Sequence, residues 1–439
     1  MKLTSTIFIT LFLFNISVWC SEPIPAPAQK QPIALVNAVI HPVTNPTISN
    51  GIILFDKGLI VDLGNNVAIP EDAITIDLQG KHVYPGLIES YSRLGLTEIG
   101  EVRSTNDYSE VGEINPNAKA EIAVNPESEY FPVTRSNGIA MAITLPSNGI
   151  ISGKSALIKL DGWTWEDMTL MAPVSMVMHW PQLAIQSGRR RKSKEEQSKD
   201  INKNKALLEK TFKDARAYLA ARESANQSEI PFHKKDLKLE ALLPVLKGEL
   251  PVWITANSLQ QIEAGISWSE EQSIKMVLVG GTEAIYAKEL LKEMNIPVII
   301  TSILRLPANR DSDIDESFTL PLKLYQAGIK FCIAATGASS VRNLPYHAAK
   351  AAAYGLPKEE ALKAITIYPA EIIGVADKVG SLEKGKEATL MVTDGDPLEI
   401  MTKVEKLYIQ GRDIDLMNKQ KQLYLKYQER YKQLRVNQD

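Results

Sequence analysis

Histidine and cysteine are scarce in this chain: five His and two Cys among 439 residues. A chain this long buries enough apolar surface to need no disulfide staples. The five histidines, His41, His82, His179, His233 and His347, are scattered, and none forms His-x-His or another paired ligand spacing. A lone histidine is more often a satisfied or surface residue than a metal ligand. Strong charge of one sign is also lacking. The net charge of −3 gives no electrostatic reason for a nucleic-acid or anionic-membrane partner. The one basic run, Arg189-Arg190-Arg191-Lys192, is followed by acids and has no interleaved aromatics, which argues against nucleic acid. No phosphate-cradling loop is present, since "GGTEA" lacks the lysine and the spacing, and there is no Gly-x-Ser-x-Gly elbow. Beyond the first twenty residues, no stretch is long and apolar enough to make a transmembrane helix.

Those first twenty residues are themselves distinct. Lys2 precedes the apolar run Ile7 to Ile16, and Val18 and Cys20 are acceptable before a cut at Ser21. Residues 1–20 therefore predict a secretory signal peptide, and an exported, periplasmic or extracellular protein with no membrane span after cleavage. Cys332 then remains alone. It sits in the apolar run Ile329 to Ala335, which predicts a buried structural role.

Periodicity divides the rest. Residues 21–32 carry Pro23, Pro25, Pro27 and Pro32 and predict an extended linker. Residues 33–82 hold short β-like runs broken at Asn50-Gly51 and Lys57-Gly58. Residues 83–370 alternate short apolar strands with helical stretches, as parallel β/α units do. Residues 184–226 interrupt them with a long charged helical insertion, read as a solvated helix. β-like pieces return over 371–413, and residues 414–439 predict a C-terminal helix packed back on the body through Leu and Tyr at helical spacing.

Specific strings sharpen this pattern. "GKHVYPGLIES" resembles the opening motif of the metal-dependent amidohydrolase superfamily, in which Pro-Gly-Leu-Ile-Asp leads into His-x-His. Ala361-Leu362, Thr366, Pro369-Ala370, Gly380-Ser381-Leu382 and Gly385-Lys386 resemble its closing signature. "PVWITAN" and "VLVGGTEA" resemble fifth- and sixth-strand motifs of its imidazolonepropionase-like branch. The resemblance spans roughly residues 33–413. It implies an α/β fold: a (β/α)8 TIM-type barrel over 83–370, with a small composite β-sandwich built from 33–82 and 371–413.

The same resemblance implies a reaction and a ligand set. Members hydrolyse C–N and related bonds with zinc or another divalent metal that acidifies a bound water. Their ligands are two His after the first strand and one His each at strands five and six, with an Asp at strand eight. Here Glu89 stands at the family Asp, Tyr91 and Arg93 at the two His, Thr255 and Gly280 at the next two, and Thr336-Gly337 at strand eight with no Asp nearby. Arginine has no lone pair to offer a metal. No cofactor is therefore expected. The candidate pocket residues are Glu89, Tyr91, Arg93, Thr255, Asn257, Glu283, Thr336 and His347. Two arrangements are open: carboxylates with His347 converging on a metal, or Arg93 paired with Glu89 or Glu283 in its place, the more economical of the two. Three functions follow. The first is a family member that has lost hydrolysis and binds a small ligand or a paralogous subunit. The second is a working hydrolase of cyclic amides or related C–N bonds with unusual ligands. The third is a structural subunit of an exported complex.

Overall fold

A computed structural model describes residues 24–183, 185, 192–227, 235–301, 303–307 and 312–436. The expected leader, His233 and most of the basic run lie outside the described residues. Alternating apolar residues in the first segment form five strands: β1 (Ile33–Ile40), β2 (Ile48–Asp56), β3 (Leu59–Gly64), β4 (Ile74–Asp77) and β5 (His82–Pro85). The parallel region contributes β6 (Leu87–Ser92), β7 (Ile139–Thr144), β8 (Ile151–Lys154), β9 (Ala156–Lys159), β10 (Thr169–Met171) and β11 (Met176–His179). It continues with β12 (Val252–Ala256), β13 (Met276–Gly280), β14 (Val298–Thr301) and β15 (Phe331–Ala334). The last segment adds β16 (Leu390–Thr393), β17 (Val404–Ile409) and β18 (Arg412–Asp413).

Both chain segments share one sheet, in the order β18-β17-β16-β5-β1-β2-β3 with β4 on β1. The junction is the antiparallel pair β16–β5, where Leu390 faces Pro85 and Thr393 faces His82. This sheet has its own apolar core, including Leu35, Ile53, Phe55, Leu390 and Tyr408. The ring of Phe55 meets that of Tyr408 edge-on at 5.1 Å. Both segments of the expected composite β-sandwich join one hydrogen-bonded sheet, branched where β1 pairs β4 along its first half and β5 along its second.

The strands of the parallel region, β10 apart, are largely buried on both faces, which is why they read as continuous apolar runs. They form two sheets: β10-β9-β7-β6, and β15-β14-β13-β12-β11-β8. β6 and β7 are parallel, as are β11 to β15 in succession. The fold is therefore α/β, but among the described residues the ladders do not close into a ring of eight parallel strands. Between β7 and β11 the chain runs through β8 and β9, which join different sheets: β9 is antiparallel to β7 and β8 antiparallel to β11. The physical reason is connection length. Only residues 145–155, β8 among them, separate β7 from its partner β9, too few for the dozen or more that a parallel crossover needs. At the other seam, β15 lies beside β6 without a ladder. The Arg93 amide donates to the Gly337 carbonyl there (2.9 Å), and Cys332 Sγ to Ser90 Oγ (3.3 Å).

Three peripheral segments depart from expectation. Residues 24–32, within the expected extended linker, are tied to the body: Ala26 is buried and its amide donates to Asp161 Oδ2 (3.1 Å). That carboxylate also takes Arg135 (2.6 Å) and Arg412 (3.2 Å). The charged insertion forms the helix Lys194–Gln227, and it is more than a solvated rod. Leu208, Phe212 and Ala215 are buried at helical spacing, and the Phe212 ring meets Trp268 at 4.8 Å. The C-terminal helix Lys419–Val436 does the reverse. Its Leu423, Tyr424, Tyr427, Tyr431 and Leu434 stay exposed, Tyr424 by 66% and Tyr431 by 61%. No helix among the described residues is long and apolar enough to cross a membrane.

Candidate ligand site

Period-two alternation puts Glu89 and Tyr91 of β6 on one face and Ser90 on the other. Ser90 turns toward β15, where it accepts from the buried Cys332 thiol. Burial pushes that thiol up to about 12, so it is inert at neutral pH. Glu89 is wholly buried. One of its carboxyl oxygens accepts the Tyr91 amide (3.0 Å) and the other the Ala335 amide (2.9 Å), with the Thr336 amide also contributing. Burial raises its pKa to about 8 against the pull of those three donors. Its role here is structural: it stitches the β6–β15 seam that lacks a ladder. Thr336 sits in the left-handed region at φ 63°, a costly place for a β-branched residue, and the Glu89 bond helps hold it there.

Tyr91 reaches across to β12. Its hydroxyl lies 3.4 Å from Thr255 Oγ1. Burial raises the phenol pKa, and the Thr255 bond and the Arg93 charge partly offset this. Arg93 does not pair with Glu89 or Glu283, contrary to expectation. Its guanidinium lies 4.1 Å over the ring of Tyr108, and one Nη donates to Ser147 Oγ (3.1 Å). Ser147 is held in turn by its amide, which donates to the Tyr108 carbonyl (2.7 Å). Glu89 is turned to backbone amides. Glu283 accepts the Leu259 amide (2.7 Å) at the N-terminus of the helix Leu259–Glu271. That helix also opens with a Ser258–Gln261 capping box, so both devices fix the turn after β12.

His179 joins this group unannounced by the sequence. It ends β11 in register with Thr255, which puts both side chains on the same face. Its Nε2 is buried with no hydrogen-bond partner. Burial, and then the Arg93 charge, lower its pKa, leaving a neutral imidazole at neutral pH. Tyr108, Ser147 and His179 were missed because they lie far from β6 in sequence. Only the strand-end position of His179 could have flagged it. No hydrogen bond ties His347 to this group. It is buried in the helix Leu344–Ala353, its Nδ1 is unpartnered, and burial lowers it to about 4. His41 and His82 meet elsewhere, in the end-to-end sheet, with Nε2 and Nδ1 2.9 Å apart.

These residues do not fit a divalent metal. No three His, Cys, Asp or Glu side chains among the described residues form a ligand group. At Gly280 the backbone has φ +90°, and a Cβ there would lie 2.5 Å from Asn257 Oδ1. That oxygen also accepts from Thr282 (3.0 Å). No histidine enters that position without moving Asn257. The Arg93 cation repels a second cation as well.

The profile of the Amidohydrolase family matches residues 270–412. The amidohydrolase tasK of Hapsidospora irregularis is 21% identical over 425 residues, 90% of this chain and 42% of that protein. The chain thus spans less than half the length of that relative. A solved amidohydrolase from Thermotoga maritima MSB8 has a TM-score of 0.78 at 25% identity, over 87% of this chain and 99% of that one. Molinate hydrolase, with a TM-score of 0.54 at 14% identity over 88% of this chain and 95% of its own, shares the fold.

Proposed function

We propose, from the premise that this chain belongs to the amidohydrolase superfamily, that it has lost metal-dependent C–N hydrolysis and binds a small ligand. The ligand sits at the carboxyl ends of the parallel strands, where members of barrel folds keep their sites. In this reading the two sheets are a (β/α)8-type barrel opened between β8 and β9 and at the β6–β15 seam. The observation that carries it is the replacement of metal-ligand positions by groups that hold no metal: Tyr91 on Thr255, Arg93 over Tyr108 and beside Ser147, and Gly280 under Asn257. Water activation needs a metal or a strong base. Glu89 cannot serve as a base at the mouth, because its carboxyl is engaged by backbone amides. Export, inferred from the leader, belongs to the same reading.

Elemental mass spectrometry on chelator-free protein tests it. After incubation with Zn, Mn, Fe and Ni in turn, we expect less than about a tenth of an equivalent of each. Near one equivalent would overturn the reading and restore the working-hydrolase alternative.

One observation favours a further role, as a subunit of a larger assembly. Tyr424, Tyr427, Tyr431 and Leu434 are exposed at heptad spacing on the C-terminal helix. Light scattering should show a larger species for the full chain than for a chain ending at Asn418. Equal masses would remove this role.

A further inference from the structure

We infer that the mouth takes its ligand through a carboxylate, seated on the Arg93 guanidinium and flanked by Tyr91 and His179. This rests on the reading that the mouth binds a ligand without a metal. The first ground is charge balance. Arg93 is half-buried, and among the described residues no Asp or Glu lies within ion-pairing distance of it. The two carboxyls expected to pair with it are committed elsewhere, Glu89 to the β15 loop and Glu283 to the Leu259 amide. A partly desolvated guanidinium without a counter-charge is costly, and an anion supplied by a ligand removes that cost.

The second ground is geometry. A guanidinium has five N–H donors in a planar fork, and a single one is engaged, on Ser147. The Tyr108 ring beneath it holds the plane. The remaining donors match the two oxygens of a carboxylate. The third ground is the unpartnered imidazole. His179 Nε2 is buried without a hydrogen bond on the face shared with Thr255, whose hydroxyl meets Tyr91. A ligand oxygen or N–H at this point completes it. One fork and no second cation in the group favour a monoanionic carboxylate over a phosphate dianion, which draws on several cations or a nest of amides.

The test is isothermal calorimetry on the full chain at constant ionic strength. Acetate, benzoate and N-acetylglycine are compared with acetamide, benzamide, N-acetylglycinamide and inorganic phosphate. The acids should bind and the matched amides should not. Arg93→Gln should weaken the acids by about tenfold or more, with Arg93→Lys between the two, because it keeps the charge and loses the fork. The acid–amide comparison uses the unaltered chain, so it stands even if a variant folds poorly. Amides binding as well as acids, no acid binding at millimolar concentration, or phosphate displacing every acid would each overturn the carboxylate. Titrations repeated after zinc loading separate the two levels. Acid binding that appears with zinc and survives Arg93→Gln would sink the metal-free reading itself. Amide binding indifferent to zinc and to Arg93 would sink the ligand class alone.

Discussion

Glu89 and Arg93 lie on and just beyond the same strand, β6, and the fold treats their charges in opposite ways. The carboxyl is fully buried and surrounded by backbone donors from its own strand and from the β15 loop. The guanidinium is left with a hydroxyl and an aromatic face. The first arrangement closes a seam, and the second leaves an electrostatic demand open. Side chains with every partner supplied by the chain belong to the scaffold, whereas those left short of a partner mark where a ligand completes the structure.

The largest expected effect comes from breaking the closed end. Glu89→Ala strands buried amides at Tyr91, Ala335 and Thr336 and should cost about 3 kcal/mol or more in denaturant unfolding. Glu89→Gln should cost less, because its carbonyl still accepts while its amide nitrogen faces a donor. The pH dependence comes next. The folded chain keeps the Glu89 proton up to about 8, whereas the unfolded chain loses it near the ordinary 4.5. Stability should therefore fall as pH rises between those values, by up to about 1.4 kcal/mol per pH unit, and then level off. Chemical unfolding of Glu89→Gln across this range should lack that slope. The smallest effect belongs to the open end. Arg93→Gln should change stability by less than about 1 kcal/mol in either direction, since no ion pair is broken. A loss as large as that of Glu89→Ala would mean that Arg93 is scaffold too, and the contrast would fail.

Much of the fold was legible because it follows from local strings. "VYPGLIES" and the closing signature mark β5, β6 and β16, and apolar runs mark the parallel strands. The division of residues 151–159 into β8 and β9, which join different sheets, shows only once the ladders are drawn. The site was legible in its negative half alone. That Tyr91, Arg93 and Thr255 are poor metal ligands follows from their functional groups. What they do instead depends on Tyr108, Ser147 and His179, which come from other loops and strands. The expected Arg93–glutamate pair reasoned from charge and ignored competing backbone amides, which claimed both carboxyls. The two charged helices teach the same point. Leu208, Phe212 and Ala215 gave the insertion a buried edge, and the tyrosines of the last helix did not.

The sheet shared by both chain ends also sets an order of events during synthesis. β5 pairs β1 on one side, and its other edge waits for β16, which emerges about three hundred residues later, a separation that makes such pairing slow. Throughout that interval the nascent chain carries an open strand edge, the usual template for association with other chains. A chain stalled or cut before Leu390 leaves this edge permanently bare.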